Sequence, residues 1–203
     1  MMDETPYRSR RLVLKDHVGV ADVNAFAAAR DWTVLGTIER NPEEGVFFEK
    51  KWAARAGVSV HYIVDEFLGE RYMMAISQHG DPDQELADLS AGLDAWSRDE
   101  ALFLFDASVY GADKERAVRL LAAISPASVD QSIVERITKA SESRHNGVRL
   151  AAIWAMAYAD WPEYRATLAS VAARDTEEEI RQAAESILED WKETDPPSPA
   201  PPA

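Results

Sequence analysis

The sequence predicts two fold classes in one chain. An α+β N-terminal domain, a four-stranded antiparallel meander with two helices, occupies residues 1–96. An all-α array of helical repeats follows over 97–192, and a disordered Pro-rich tail over 193–203. Three observations predict this division. Apolar–polar alternation, the period of a half-buried strand, recurs in short segments before Trp96 and disappears after it. Six stretches of helical period then follow, joined by short links. Within them a six-residue pattern recurs at offsets of 30 and 32 residues.

Val20 to Arg30 reads as a short alanine-rich helix with Val20, Val23 and Ala27 on one face. Trp32 to Glu39 is rich in β-formers, and Asn41-Pro42-Glu43-Glu44-Gly45 is a turn by composition. From Val46 to Ala53 the alternation sets Phe48 and Trp52 opposite Glu49 and Lys51. Val58, Val60, Tyr62 and Val64 alternate with Ser59, His61 and Ile63. Past a turn near Leu68-Gly69-Glu70, Tyr72, Met74 and Ile76 continue the pattern. Strands joined by short turns pair antiparallel and bury one face. A second helix follows Pro82, with Leu86, Leu89, Leu93 and Trp96 at helical spacing. The two helices are expected to cover one sheet face, an α+β layer rather than a doubly wound sheet.

The later helices are expected at about 98–107, 113–124, 128–140, 145–158, 162–173 and 176–191. Ala117-Val118-Arg119-Leu120-Leu121-Ala122 aligns with Gly147-Val148-Arg149-Leu150-Ala151-Ala152, and that with Glu179-Ile180-Arg181-Gln182-Ala183-Ala184. Five residues before each β-branched position stand Asp113, Ser143 and Asp175, and an aspartate at a helix entrance satisfies free amide donors there. In the middle unit Val148, Ala151, Ala152, Ala155 and Met156 form one apolar stripe, and Leu150, Trp154 and Ala157 form a second. Two stripes imply neighbours on two sides. In the last unit the second stripe becomes Gln182, Ser186 and Glu189, the polar outer face a terminal repeat needs.

These residues resemble the HEAT repeat family, whose helices carry an aspartate, a valine–arginine pair and two small residues. The resemblance covers about residues 98–191. It implies a ladder of aspartate–arginine hydrogen bonds between neighbouring units, which falls here on Asp113, Arg119, Arg149, Asp175 and Arg181, with Ser143 replacing the middle aspartate. It also implies that the second helix of each pair, here about 162–173, lines a binding surface.

Composition excludes several functions. The chain has 203 residues, no cysteine, 36 acidic residues against 22 basic ones and a net charge of −14. Disulfides, thiolate metal sites and cysteine nucleophiles are therefore absent. A field of this sign repels phosphate backbones and anionic lipid, so neither nucleic acid nor membrane is an expected partner. No apolar run approaches the ~20 residues of a spanning helix, and no apolar segment follows the basic residues before Arg11, so a cytoplasmic protein without a secretory signal is expected. Glycine-rich phosphate loops and the GxSxG elbow are missing. His17, His61, His79 and His145 are too far apart for a local metal pair, so neither cofactor nor metal is implied.

Three features remain as candidate sites. His61 and Arg71 fall on a hairpin and form either a functional polar patch or an ordinary solvated face. Trp154, Tyr158, Trp161 and Tyr164 form an aromatic cluster, and Trp161, Tyr164 and Arg165 lie at a helix entrance beside Pro162. Such aromatics serve either as interface anchors or as interhelical packing. The acids Asp81, Asp83, Glu85, Asp88, Asp94, Asp99 and Glu100 would attract a basic partner or simply face solvent, and they lack the order of a calcium loop.

The expected function is a non-enzymatic protein–protein interaction module with no catalytic residues: a HEAT-like scaffold or adaptor, with an immunity or antitoxin role against a basic partner as a subtype. The alternatives are a HEAT-like enzyme such as a DNA glycosylase, which lacks its basic stripe here, and a small-molecule or cofactor-handling helper.

Overall fold

The computed structural model describes residues 6–80 and 82–194. Its first half holds strands β1 (Tyr7–Arg8) and β2 (Leu12–Val13), helix α1 (Val20–Ala28), strands β3 (Thr33–Ile38), β4 (Phe48–Arg55), β5 (Val58–Asp65) and β6 (Glu70–Ser77), and helix α2 (Asp83–Gly92). The strands form one antiparallel sheet in the order β1-β6-β5-β4-β3, with β2 also on β6.

This corrects the expected four-stranded meander with two helices: the sheet has six strands. The two extra strands have two residues each, too few to display a period. They form because the segment before α1 runs along β6. Tyr7 and Arg8 pair with Ser77 and Ile76, and Leu12 and Val13 with Met73 and Tyr72. Between them Ser9 keeps contact, its amide donating to the Ala75 carbonyl and its hydroxyl accepting from the Ala75 amide, both at 2.9 Å.

Pleating sends alternate side chains to opposite faces. Trp52, Val60, Tyr62, Met73 and Ala75 point toward α1 and α2 and share a core with Val23, Phe26, Leu86 and Leu89. The two helices meet closely: a Cβ on Gly92 would lie 2.3 Å from the Phe26 ring, so only glycine fits.

The second half holds α3 (Arg98–Ala107), α4 (Gly111–Ile124), α5 (Gln131–Ala140), α6 (Asn146–Ala159), α7 (Arg165–Arg174), entered through a 3-10 turn at Pro162–Tyr164, and α8 (Glu178–Thr194). Local chemistry sets several starts. Ser97 and Glu100 form a reciprocal capping box on α3, and Asp130 accepts from the Ser132 and Ile133 amides at the head of α5, each such cap adding about 1 kcal/mol. Helix α4 lies against α6, α6 against α8, and α7 against α8. The expected tail at 193–203 lies outside the described residues from 195 onward, while 193 and 194 end α8.

The halves share one core. Val13, Leu68 and Tyr72, with Ile63 and Met74 beside them, pack with Leu120, Leu121, Ile153 and Met156 of the helices. The second sheet face is therefore covered as well. Arg116 reaches back to Asp16 at 2.6 Å, and Tyr158 donates its hydroxyl hydrogen to the buried Asp65 carboxylate.

Candidate functional site

The link between α3 and α4 is Ser108-Val109-Tyr110. Ser108 ends α3, with its amide and hydroxyl both donating to the Leu104 carbonyl. Ser108 and Tyr110 are extended, and Tyr110 precedes α4 without a side-chain capping bond. The link is too short to fold its side chains back onto the core. Val109 is left 83% exposed and Tyr110 76% exposed, and Phe103, one turn before Ala107 on α3, is 73% exposed.

Two clefts flank this corner. A smaller one, about 280 Å³, runs between Ala107, Tyr110, Asp113 and Arg116. The other, about 560 Å³, opens between Phe105, Val109, Lys114, Lys139, Arg144 and Val148. In it the Lys114 ammonium sits 3.9 Å from the centre of the Phe105 ring and donates to the Phe105 carbonyl. Burial pulls its pKa below the usual lysine value against the opposing pull of Asp106, and the Lys139 charge adds to the lowering. Gly111 lets the His145 ring lie against the start of α4, since a Cβ there would come within 3.3 Å of it.

The aromatic anchors read from the sequence lie elsewhere. Trp161 and Tyr164 are 2% and 0% exposed and stack with ring centroids 5.9 Å apart. The 3-10 turn after Trp161 carries both rings into the core, so they pack and do not present a surface; burial raises the Tyr164 pKa. Arg165 lies over the Trp191 ring and donates to its carbonyl, tying α7 to α8. Within the acidic run Glu85 pairs with Arg55, and Asp94 and Glu100 with Lys15.

Of the ladder residues, Arg149 and Asp175 form a bidentate pair at 2.8 and 2.9 Å, both largely buried. This pair raises the arginine pKa and lowers that of the aspartate. Arg181 donates to the Asp175 carbonyl, Arg119 pairs with Glu115 on its own helix, and Asp113 is exposed.

His61 is 7% exposed rather than solvated. Its Nδ1 lies 2.5 Å from Glu49 Oε1 and its Nε2 2.8 Å from Ser59 Oγ. Lys51 holds the other Glu49 oxygen at 3.1 Å. Burial pushes the Glu49 pKa up, but bonds from His61 and Lys51 outweigh it and leave the carboxyl below its usual range. Serine, imidazole and carboxylate thus stand in the order of nucleophile, base and orienter. Strand β5 is paired on both edges, so its ladder amides are engaged and offer no oxyanion hole. Arg71 is not part of this group; it donates to the Asp16 carbonyl at 2.8 Å. Ser59 and Glu49 were missed because the β4–β5 register, in which Lys51 faces His61, brings them together. The Ala56-Gly57 turn was the signal that would have set that register.

Comparison of the chain with family models, with characterised proteins and with solved structures finds no match. Among the described residues no three His, Asp or Glu side chains converge as a metal site requires, and no helix is long and apolar enough to cross a membrane.

Proposed function

We propose that this chain is a non-enzymatic protein-binding module of the HEAT type, which binds through the α3–α4 corner. The observation that carries the reading is the exposure of Phe103, Val109 and Tyr110, three large apolar side chains within eight residues. An apolar patch rimmed by polar groups is typical of interaction surfaces, and here Asp113 and Arg116 supply part of the rim. The overall charge of −14 steers a basic partner from a distance, in keeping with an immunity or antitoxin role. Local groups decide what fits at contact.

The test is capture of a stoichiometric partner by the wild type and by a Val109→Ser/Tyr110→Ser variant of unchanged circular dichroism. Loss of the partner in the variant is the expected result. Retention, or loss only on changing a surface distant from the corner such as Leu35, overturns the reading.

One observation favours a second reading, serine hydrolysis: the alignment of Ser59, His61 and Glu49. Covalent labelling by a fluorophosphonate, abolished in Ser59→Ala, would establish it. The lack of oxyanion donors on a fully paired strand makes absence of labelling the expected outcome.

A further inference from the structure

We propose that the cleft between the α3–α4 corner and the α5–α6 turn takes an acidic peptide segment carrying an apolar side chain. This rests on the protein-binding role above and names the chemistry of the one segment that docks in the cleft, which differs from the net charge of the partner as a whole. The first argument is local charge. Lys114, Lys139 and Arg144 line the cleft against the single carboxylate of Glu142, although acids outnumber bases 36 to 22 over the chain. A local excess of the minority charge concentrates anions there.

The second argument is what those cations do not do. Arg98, Arg136 and Arg149 each hold a carboxylate in a bidentate pair. The side chains of Lys139 and Arg144 make no hydrogen bond or ion pair among the described residues, so their charge is free for a ligand. Lys114 also lacks a carboxylate within ion-pair distance among the described residues. Its ammonium is fixed by the Phe105 ring and carbonyl, so a ligand meets a positioned charge with little rotamer freedom left to lose.

The third argument selects a peptide over a bare anion. The same cleft has an apolar side: Val148 and Phe105 are buried at its floor, and Val109 forms an exposed lip. Phosphate alone would leave that side unused. A carboxylate next to a leucine or phenylalanine engages both, with charge-assisted bonds to the cations and apolar contact at the lip. A nucleic acid would extend its phosphate backbone beyond the cleft into the repulsion of the rest of the chain, whereas a short acidic segment is contained by the cleft's cations.

The experiment titrates the full ¹⁵N-labelled chain with a capped hexapeptide, Leu-Glu-Asp-Leu-Glu-Phe, with its isostere Leu-Gln-Asn-Leu-Gln-Phe, and with inorganic phosphate. Saturable amide shifts confined to 109–114 and 139–148 are expected for the acidic peptide. The isostere should bind about tenfold more weakly. Lys139→Glu/Arg144→Glu should show a similar loss; both side chains are exposed and unpartnered, so the amide spectrum elsewhere should be unchanged. The proposal is overturned by equal binding of the isostere, by phosphate matching the peptide in midpoint and shifts, by shifts located elsewhere, or by no saturable shift at several millimolar. A partner lost on Val109→Ser/Tyr110→Ser alongside a negative titration would sink this inference and leave the binding role standing.

Discussion

The two faces of the sheet are built on different physics. The face toward α1 and α2 is apolar at its centre, with Trp52, Val60, Met73 and Ala75 at most 1% exposed, and carries polar side chains such as Ser77, Arg71 and Lys50 only toward its margins. The face toward α4 and α6 buries His61, Asp65 and Glu70 at 7%, 0% and 3% exposure among Tyr72, Ile63 and Met74. Asp65 is satisfied by the Tyr158 hydroxyl and by the Leu68 amide at 3.0 Å, while one oxygen of Glu70 has no hydrogen-bond partner and only Arg116 at 3.8 Å. An apolar face holds by area and tolerates small shifts; a buried polar face holds only while particular partners stay in place.

The contrast can be broken at its apolar end first. Trp52→Ala should cost about 4 kcal/mol in urea unfolding, since the indole fills space that the strands cannot close. On the polar face the largest effect is expected from Glu70. Burial raises its pKa to about 7, with Arg116 opposing and Asp16 adding to the rise. The folded state therefore holds a proton that the unfolded chain releases near pH 4.5, so the stabilisation is full below that pH and is lost as the pH rises through 7. Glu70→Gln should accordingly raise stability by about 2 kcal/mol at pH 8 and by almost nothing at pH 4, as read from melts at both pH values. Tyr158→Phe should cost about 1.5 kcal/mol by leaving Asp65 short of a donor, and the loss should shrink in an Asp65→Asn background. Val109→Ser and Tyr110→Ser, which touch neither face, should stay within about 0.5 kcal/mol of wild type.

The apolar face was legible in the sequence because alternation is a local signal. Trp52, Val60 and Tyr62 stand at period-two positions, and their strands are β4 and β5. Helical period likewise located the segments that became α3 to α8 to within a few residues at each end. The polar face was not legible, since Asp65 meets Tyr158 93 residues later and no periodicity reports such a pairing. Strands β1 and β2 escaped because two residues carry no period. The corner site was half visible: Phe103 falls off the buried stripe of Ala101, Leu102 and Phe105, a signal of an outward apolar side chain. Trp161 and Tyr164 misled because residue type suggests an anchor, whereas the turn at Pro162 sets where the rings point.

The polar seam also has a consequence for the order of synthesis. Strand β6 ends at Ser77, but Tyr158 closes the second face of the sheet only when the ribosome has added about eighty more residues. At ~5–20 residues per second that face waits roughly 4–16 s for its cover to be complete, with α4 available to it part-way through. An oily surface open for so long on a nascent chain would be an aggregation hazard. With Asp65, Glu70, Glu49 and His61 among its residues, the waiting face is wetted by water and repels its own copies. Glu70, the carboxylate that burdens the finished structure, thus helps to guard the unfinished one.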